Sequence, residues 1–307
     1  MEEITCFIKK NFSGWGEAVK EIKRLETSGN LTFLIPTNKS KYILRLCGDK
    51  PRDRTHEEIL SETKLLKFLV RNNIPVPDPI KINNDFVISI NNRNGILYRY
   101  LKDNAVKNPN LAQCFAVGEI LGKIHNLTTD FEHPHKRKSW DLESTKKFFQ
   151  EIKEDLSKDE FLQRHQFIES VESILNDLDF PKELPHGAIH EDLGKRHVLF
   201  KGNKISRILD WDRSYNGQFI LDLGQTIRGW CFNGWKEWNK ERFHSVLNGY
   251  ENQRKLITLE KEYLLKAIKF GLIERALAFA TLFFDNKKIE DGEFVITSMK
   301  LIPSIEI

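Results

Sequence analysis

Hydrophobic and polar positions alternate over short stretches in the first third of the chain. Residues 31–35 form an alternating stretch, and residues 41–46, after a polar turn, are rich in residues that favour strands. Residues 86–90 and 95–100 make a second pair of this kind, so each pair predicts a β-hairpin. Between the hairpins, apolar residues recur at helical spacing over residues 55–72, which predicts one amphipathic helix. The pattern therefore indicates antiparallel strands with an inserted helix.

The beginning of the chain shows helical spacing instead. Apolar side chains share a helical face on each side of Ser13 and Gly14, so residues 4–25 are predicted to form two short helices that are broken at this pair. Together with the hairpins, these helices complete a small β-rich lobe over residues 1–100.

From about residue 110 onward the spacing is helical almost throughout. Residues 111–127, 143–155 and 160–177 each carry apolar side chains at helical spacing, and helices predominate again after residue 222. A few short strands interrupt them. The sequence thus predicts an α+β fold of two lobes, in which residues 101–307 form the larger, mostly helical lobe.

The composition narrows the class of protein. The 307 residues suffice for one large domain or for two lobes with separate cores. The chain has 48 Lys and Arg against 44 Asp and Glu, a formal charge of +4, which indicates neither a nucleic-acid-binding tail nor a membrane-surface segment. No apolar run approaches about 18 residues, and no basic segment precedes an apolar one at the N-terminus. We expect a cytoplasmic protein without nucleic-acid or membrane partners; its oligomeric state is left open.

The cysteines agree with this location. Cys6, Cys47, Cys114 and Cys231 are far apart in the chain and form no CxxC pair. Neither a disulfide framework nor a zinc ribbon is therefore expected, and scattered reduced thiols are typical of a cytosolic enzyme.

The segment 184–212 carries the candidate chemistry. Asp192 follows His190 by two positions on a loop between apolar segments, where a carboxylate can orient an attacking hydroxyl or take its proton. The plain alternative is a loop aspartate that caps a turn. However, Asp210 follows at the spacing that separates the catalytic and metal-binding aspartates of the protein-kinase fold. The pair therefore favours phosphoryl transfer from ATP, with Asp192 as the catalytic residue.

Asp210 is the predicted metal ligand. It ends a predicted strand over residues 205–209, and a carboxylate there offers Mg²⁺ the hard oxygen donor that this ion prefers. Mg²⁺ is expected as the cofactor beside ATP, and Mn²⁺ is an alternative. Asp212 would point in the same direction if the strand continued, and would become a turn residue if the chain turned.

His197 stands where protein kinases have a metal-binding asparagine. An imidazole nitrogen is a softer donor than an amide oxygen and suits zinc, manganese or iron better than magnesium. Three interpretations stay open. His197 binds the metal directly, as we predict together with Asp210, or it acts through a water molecule, or it marks a site that has lost activity.

A cation and a carboxylate in the small lobe are predicted to hold the nucleotide. Arg45 lies in the middle of a strand, where it can approach the phosphates and pair with Glu62 on the following helix, as a Lys–Glu pair does in kinases. An exposed strand arginine is the alternative. Arg is also not equivalent to Lys, because its planar guanidinium prefers bidentate partners.

Further nucleotide contacts are predicted at a turn and a link. The turn Ser28-Gly29-Asn30 could cover the phosphates with backbone N–H groups, although a plain hairpin turn explains Gly29 equally well. Tyr98 and Tyr100 lie in the predicted link between the lobes, whose backbone could bind adenine.

These residues resemble the aminoglycoside phosphotransferase and choline kinase superfamily, which has the protein-kinase-like fold. The likeness to its homoserine kinases extends over about residues 25–285. It includes Leu184–Ala188, the segment 200–206 and Glu274-Arg275. The resemblance implies that Asp192 is the catalytic base, that Asp210 binds magnesium, that Arg45 and Glu62 clamp phosphate, and that a buried Asp222 braces the catalytic loop.

Two departures from the homoserine kinase pattern affect the predicted substrate. The loop sequence is Gly194-Lys-Arg-His197, whereas the loop of homoserine kinases resembles Phe-Pro-Asp-Asn at the same place. In addition, Glu191 adds a charge where a small residue is expected. Macrolide phosphotransferases of the superfamily also carry a histidine at the loop position. The prediction is an ATP-dependent kinase that phosphorylates a hydroxyl of a small molecule, with a homoserine-like amino alcohol favoured. The alternatives are an aminoglycoside or macrolide kinase and a catalytically silent nucleotide-binding protein.

Overall fold

The computed structural model describes residues 2–27, 29–49, 53–135, 137–233 and 236–307, and the chain divides into two compact units. The first unit comprises Met1–Asn104, His133–Arg137 and Arg207–Asp212, and the second comprises Ala105–Glu132, Lys138–Ser206 and Arg213–Ile307.

The first unit is built on an antiparallel sheet with the strand order β1-β2-β3-β6-β4, in which β5 also pairs with β6. Its elements are α1 (Glu2–Gly14), β1 (Lys23–Leu25), β2 (Leu31–Pro36), β3 (Lys41–Leu46), α2 (His56–Arg71), β4 (Pro79–Ile80), β5 (Ile88–Ile90) and β6 (Arg93–Arg99). Apolar side chains of α1 pack on this sheet around Phe12, Phe33 and Leu44. The predicted hairpins and inserted helix are therefore confirmed.

The helix α2 begins where its sequence provides a cap. The Thr55 side chain accepts from the Glu58 N–H at 3.2 Å, and Glu58 accepts in return from the Thr55 N–H at 2.9 Å. This reciprocal arrangement satisfies donors that the first helical turn leaves without partners. The prediction of a second helix before residue 25 is wrong. Lys23–Leu25 instead pairs with β2, because an edge strand satisfies its backbone groups through a neighbour that is not visible from local spacing.

The second unit is mainly helical, as predicted. Two short strands, β7 (Asn104–Ala105) and β10 (Lys204–Ile208), have residues in both units. The other elements of the second unit are α3 (Leu111–Thr128), α4 (Leu142–Leu156), α5 (Glu160–Arg164), α6 (Phe167–Asp177), β8 (His186–Ile189), β9 (Val198–Lys201), β11 (Tyr215–Gln218), α7 (Phe219–Trp230), β12 (Phe232–Asn233), β13 (Glu237–Trp238), α8 (Lys240–Gln253), α9 (Thr258–Asn286) and α10 (Ile289–Leu301). The single helix predicted over residues 160–177 is wrong. Gln166, with φ of 50°, interrupts it and separates α5 from α6.

Close packing of α7 against α9 places the residues of the candidate site. At Gly224 of α7, a side-chain Cβ would come within 2.5 Å of the backbone of Ala267 in α9, so only glycine allows this approach. The packing brings α7 residues such as Gln225 and Arg228 beside Glu274 and Arg275 of α9. Among the described residues, no helix has the length and apolar character needed to cross a membrane.

Candidate active site

The loop that carries Asp192 follows β8 in the second unit and is held by a buried carboxylate. Asp222 of α7 accepts the N–H of His190 at 2.9 Å and the N–H of Glu191 at 2.8 Å, and it lies 3.1 Å from His125 Nε2. Burial opposes the charge, but the hydrogen bond and the charge of His125 lower the pKa of Asp222. Asp222 therefore braces the loop as a carboxylate, in the way that the resemblance implies.

Asp192 is surrounded by positively charged groups. Its Oδ1 lies 2.9 Å from Arg275 Nη2 and 3.6 Å from Arg228 Nη2, and its Oδ2 lies 3.3 Å from Arg196 Nη2. Burial opposes ionisation, but Arg275, His197 and the neighbouring arginines hold the pKa of Asp192 well below its usual range. Asp192 is therefore an anion at neutral pH, suited to orient a hydroxyl by accepting its hydrogen bond.

His197 contacts the same loop through both ring nitrogens. Its Nδ1 donates to the backbone carbonyl of Asp192 at 2.8 Å, and its Nε2 accepts from Arg196 Nε at 2.8 Å. A metal ion at Nε2 would have to displace Arg196. The contacts hold the loop in a tight turn, in which Gly194 N–H donates to the carbonyl of Asp192 at 2.8 Å. The role of His197 as a metal ligand stays a prediction.

Arg45 and Glu62 form the expected ion pair in the first unit. The Glu62 carboxylate, only 1% exposed, binds the guanidinium of Arg45 through one oxygen and that of Arg54 through the other. Burial favours the neutral acid, but Arg45 and Arg54 lower the pKa of Glu62 to about 2. Burial likewise opposes the charge of Arg45, and the Glu62 carboxylate nevertheless raises the pKa of Arg45. The pair thus presents a fixed cation on β3; its contact with phosphate stays a prediction.

Asp210 keeps its side chain accessible next to this pair. It has a positive φ of 66°, is 37% exposed at its side chain, and lies 3.5 Å from Arg45 Nη1. The chain turns immediately afterwards into a one-turn 3-10 helix, Trp211–Arg213. Asp212 is therefore a turn residue, and its Oδ2 accepts from Asn30 Nδ2 at 3.1 Å.

Carboxylate oxygens of this kind fit magnesium that arrives with a nucleotide. Within the described ranges, no three His, Cys, Asp or Glu side chains are grouped to hold a metal ion by themselves. Mg²⁺ commonly binds one or two carboxylates and completes its shell with water and phosphate oxygens. The exposed Asp210 carboxylate matches that requirement, and its metal role stays a prediction.

The remaining predicted nucleotide residues also lie in the first unit. Gly29 has a φ of 95°, which glycine adopts without strain, in the turn before β2, whereas Ser28 lies outside the described residues. Tyr98 pairs with Ile43 across the sheet, and the N–H of Tyr100 donates to the carbonyl of Lys41 at 2.9 Å. Their contacts with a nucleotide stay predictions.

The sequence did not indicate which residues line the cavity beside Asp192. A cavity of about 280 Å³ in the second unit is lined by Asp192 together with four cationic side chains, two phenylalanines and two glycines: Lys195, Arg196, Arg228, Arg275, Phe279, Phe294, Gly194 and Gly229. Arg228 and Arg275 are far from Asp192 in the chain, and no local pattern links them to it. The only signal was Glu274-Arg275, which was part of the resemblance but had no assigned role.

The fold and this arrangement of carboxylates and cations define a phosphotransferase with a protein-kinase-like fold. The phosphotransferase enzyme family matches residues 21–256 of the chain, which therefore belongs to that family. The predictions of an α+β protein-kinase-like fold and of a small-molecule kinase are confirmed.

Two homoserine kinases and one solved structure illustrate the relationship. The chain is 30% identical to homoserine kinase of Rhodopseudomonas palustris (strain BisA53) over 239 residues, which cover 76% of this chain and 71% of the relative. It is 27% identical to homoserine kinase of Chelativorans sp. (strain BNC1) over 303 residues, or 96% and 88% of the two chains. An amicoumacin kinase in complex with AMP-PNP and Ca²⁺ has the same fold, with a TM-score of 0.73, 18% identity and coverage of 97% and 92%.

Proposed function

We propose that this phosphotransferase transfers the γ-phosphoryl group of ATP to the hydroxyl of a small amino alcohol that carries a carboxylate, such as homoserine. The observation that carries the proposal is the cavity beside Asp192, because it combines a hydroxyl-orienting carboxylate with an excess of cationic side chains. The names of the homoserine kinase relatives support the same acceptor.

The charges of the cavity favour an acceptor with a carboxylate. Four cationic side chains face one carboxylate, Asp192, so a polycationic aminoglycoside would meet repulsion. Burial and the charge of Arg275 lower the pKa of Arg228 to about 10. In the described structure, Arg275 Nη2 is paired with Asp192 Oδ1 at 2.9 Å, whereas Arg275 Nε is buried without a hydrogen bond. A carboxylate bound between Arg228 and Arg275 would accept charge-assisted hydrogen bonds from these guanidinium groups and reduce the repulsion between them.

The proposed chemistry assigns a separate task to each carboxylate. The acceptor hydroxyl oxygen attacks the γ-phosphorus, the bond from that phosphorus to the bridging oxygen breaks, and ADP leaves. Asp192 orients the hydroxyl and takes its proton as the new bond forms. Asp210 would hold Mg²⁺, which neutralises charge on the phosphate oxygens. Arg45, fixed by Glu62, would bind phosphate, and Gly29, Tyr98 and Tyr100 would complete nucleotide binding.

An acceptor panel tests the proposal. Homoserine, homoserine amide, choline, an aminoglycoside and a macrolide are each incubated with ATP and either Mg²⁺ or Mn²⁺. ADP is followed by a coupled assay, and the phosphorylated product is followed by mass spectrometry. We expect turnover with homoserine and a much higher KM for the amide, which lacks the carboxylate. Turnover confined to an antibiotic contradicts the acceptor. ATP binding without turnover in either metal indicates a silent nucleotide-binding protein.

The proposed reaction also implies a cellular location. A kinase that draws ATP and a free amino alcohol from solution is expected in the cytoplasm. Neither nucleic acid nor membrane takes part in the proposed reaction.

A further inference from the structure

A buried glutamate precedes Asp192 directly in the chain. Glu191 is 2% exposed and has a positive φ of 73°. This left-handed conformation costs a residue with a side chain roughly 1–2 kcal/mol, whereas glycine adopts it without strain. Such strain persists only where contacts with the surrounding structure hold the residue in place. The contacts that the Glu191 side chain makes therefore matter for how this backbone conformation is held.

Those contacts form a compact group that we call the Glu191 cluster: Glu191, Arg213, Gln225 and Glu274. Arg213 contacts the carboxyl groups of both Glu191 and Glu274, and its Nη2 lies 2.6 Å from Glu274 Oε1. Gln225 Nε2 donates to Glu191 Oε1 and to Glu274 Oε2, each at 3.1 Å. The cluster therefore connects the loop, the last residue of the 3-10 turn, α7 and α9.

The balance of charge within the cluster is tight. Burial favours the neutral acid at Glu191. The charge of Arg213 favours the ionised form of Glu191, whereas the negative charges of Glu274 and Asp192 favour the neutral form. The pKa of Glu191 is therefore raised well above its usual range. Arg213 and Arg275 keep Glu274 in its charged form by lowering its pKa, although burial opposes them. Glutamine at residue 191 would thus preserve the size and the hydrogen-bonding capacity of the side chain, whereas glycine would relieve the backbone and remove the contacts.

Two residues of the cluster are direct chain neighbours of residues in the candidate active site. Glu191 precedes Asp192, and Glu274 precedes Arg275, whose Nη2 lies 2.9 Å from Asp192 Oδ1. We propose that Glu191 is a positioning residue that, through Arg213, Gln225 and Glu274, fixes Asp192 against Arg275. This inference rests on the proposed function, since Asp192 receives its catalytic role there.

Kinetics of two variants test the proposal. Glu191→Gly is expected to lower kcat by up to about 100-fold, because displacement of a reacting group by about 1 Å has that effect. Its KM for ATP should stay unchanged, and Glu191→Gln should restore most of kcat. The matched control is Gln166→Gly, which relieves a positive φ of 50° outside the cavity and should leave kcat unchanged. A Glu191→Gly variant that matches the wild-type kcat, or that loses only thermal stability, would overturn the proposal.

A crystal structure of Glu191→Gly gives a readout that does not depend on turnover. The distance from Arg275 Nη2 to Asp192 Oδ1 is expected to increase from 2.9 Å by about 1 Å, the displacement that the kinetic effect requires. An unchanged distance would refute the positioning role. If the wild-type protein phosphorylates no acceptor, the proposed function fails, while this structural comparison still decides whether Glu191 positions Asp192.

Discussion

The imidazole of His197 is joined to the backbone of Asp192, since its Nδ1 donates to the Asp192 carbonyl at 2.8 Å. The sequence favoured direct metal binding at this position, in place of the usual asparagine. In the structure, one ring nitrogen binds the loop backbone and the other accepts from Arg196. These contacts support a role for His197 in shaping the loop that carries Asp192.

This arrangement predicts how replacements of His197 behave. His197→Ala removes two hydrogen bonds of about 0.5–1.5 kcal/mol each, so it should lower stability by roughly 1–3 kcal/mol and should also lower kcat. His197→Asn keeps an N–H donor and should be closer to wild type. In both variants the ratio of Mg²⁺-supported to Mn²⁺-supported activity should stay constant. A change in this ratio would support the metal-ligand interpretation.

Asp192→Asn should nearly abolish turnover while ATP affinity is retained. An amide of the same size cannot take the hydroxyl proton, and general-base catalysis typically contributes about 10²–10⁴-fold. The measurements are kcat from ADP production and the Kd of ATP from calorimetry. An unchanged kcat would remove Asp192 from its proposed role.

Arg275→Ala should weaken binding of the acceptor more than binding of the nucleotide. Loss of a charge-assisted hydrogen bond to the acceptor carboxylate is worth about 1.5–3 kcal/mol, so KM for homoserine should rise roughly 10- to 150-fold. KM for homoserine amide should change little. Arg164→Ala, at an exposed arginine of α5, is the control and should leave both constants unchanged. Equal losses for homoserine and its amide would contradict a carboxylate site.

The Glu62 ion pairs predict a pH-dependent contribution to stability. Because the pKa of Glu62 falls from 4.5 to about 2 on folding, its contribution is present above pH 4.5 and is lost as the pH falls towards 2. The shift corresponds to roughly 3 kcal/mol at neutral pH. Glu62→Gln should therefore be less stable than wild type at pH 7, and the difference in unfolding free energy should shrink below pH 4. A constant difference over that range would contradict the assignment.

Patterns within single segments determined much of this protein. The hairpins and the helix α2 follow from alternation and from helical spacing, and α2 also has its own cap at Thr55. The Arg45–Glu62 pair could be predicted because a strand and the helix that follows it present both side chains within a short stretch. Asp192 and Asp210 could be singled out because their spacing belongs to a known catalytic arrangement.

Other features depend on partners that are distant in the chain, and only the tertiary structure decided them. Lys23–Leu25 is a strand because β2 supplies its hydrogen-bond partners, although the apolar residues before it have helical spacing. Arg228 and Arg275 surround Asp192 because Gly224 allows α7 and α9 to approach closely. The strained Glu191 backbone is retained beside a cluster drawn from several segments. Local sequence specifies most of the elements, whereas their packing determines which edge strands form and which charges meet.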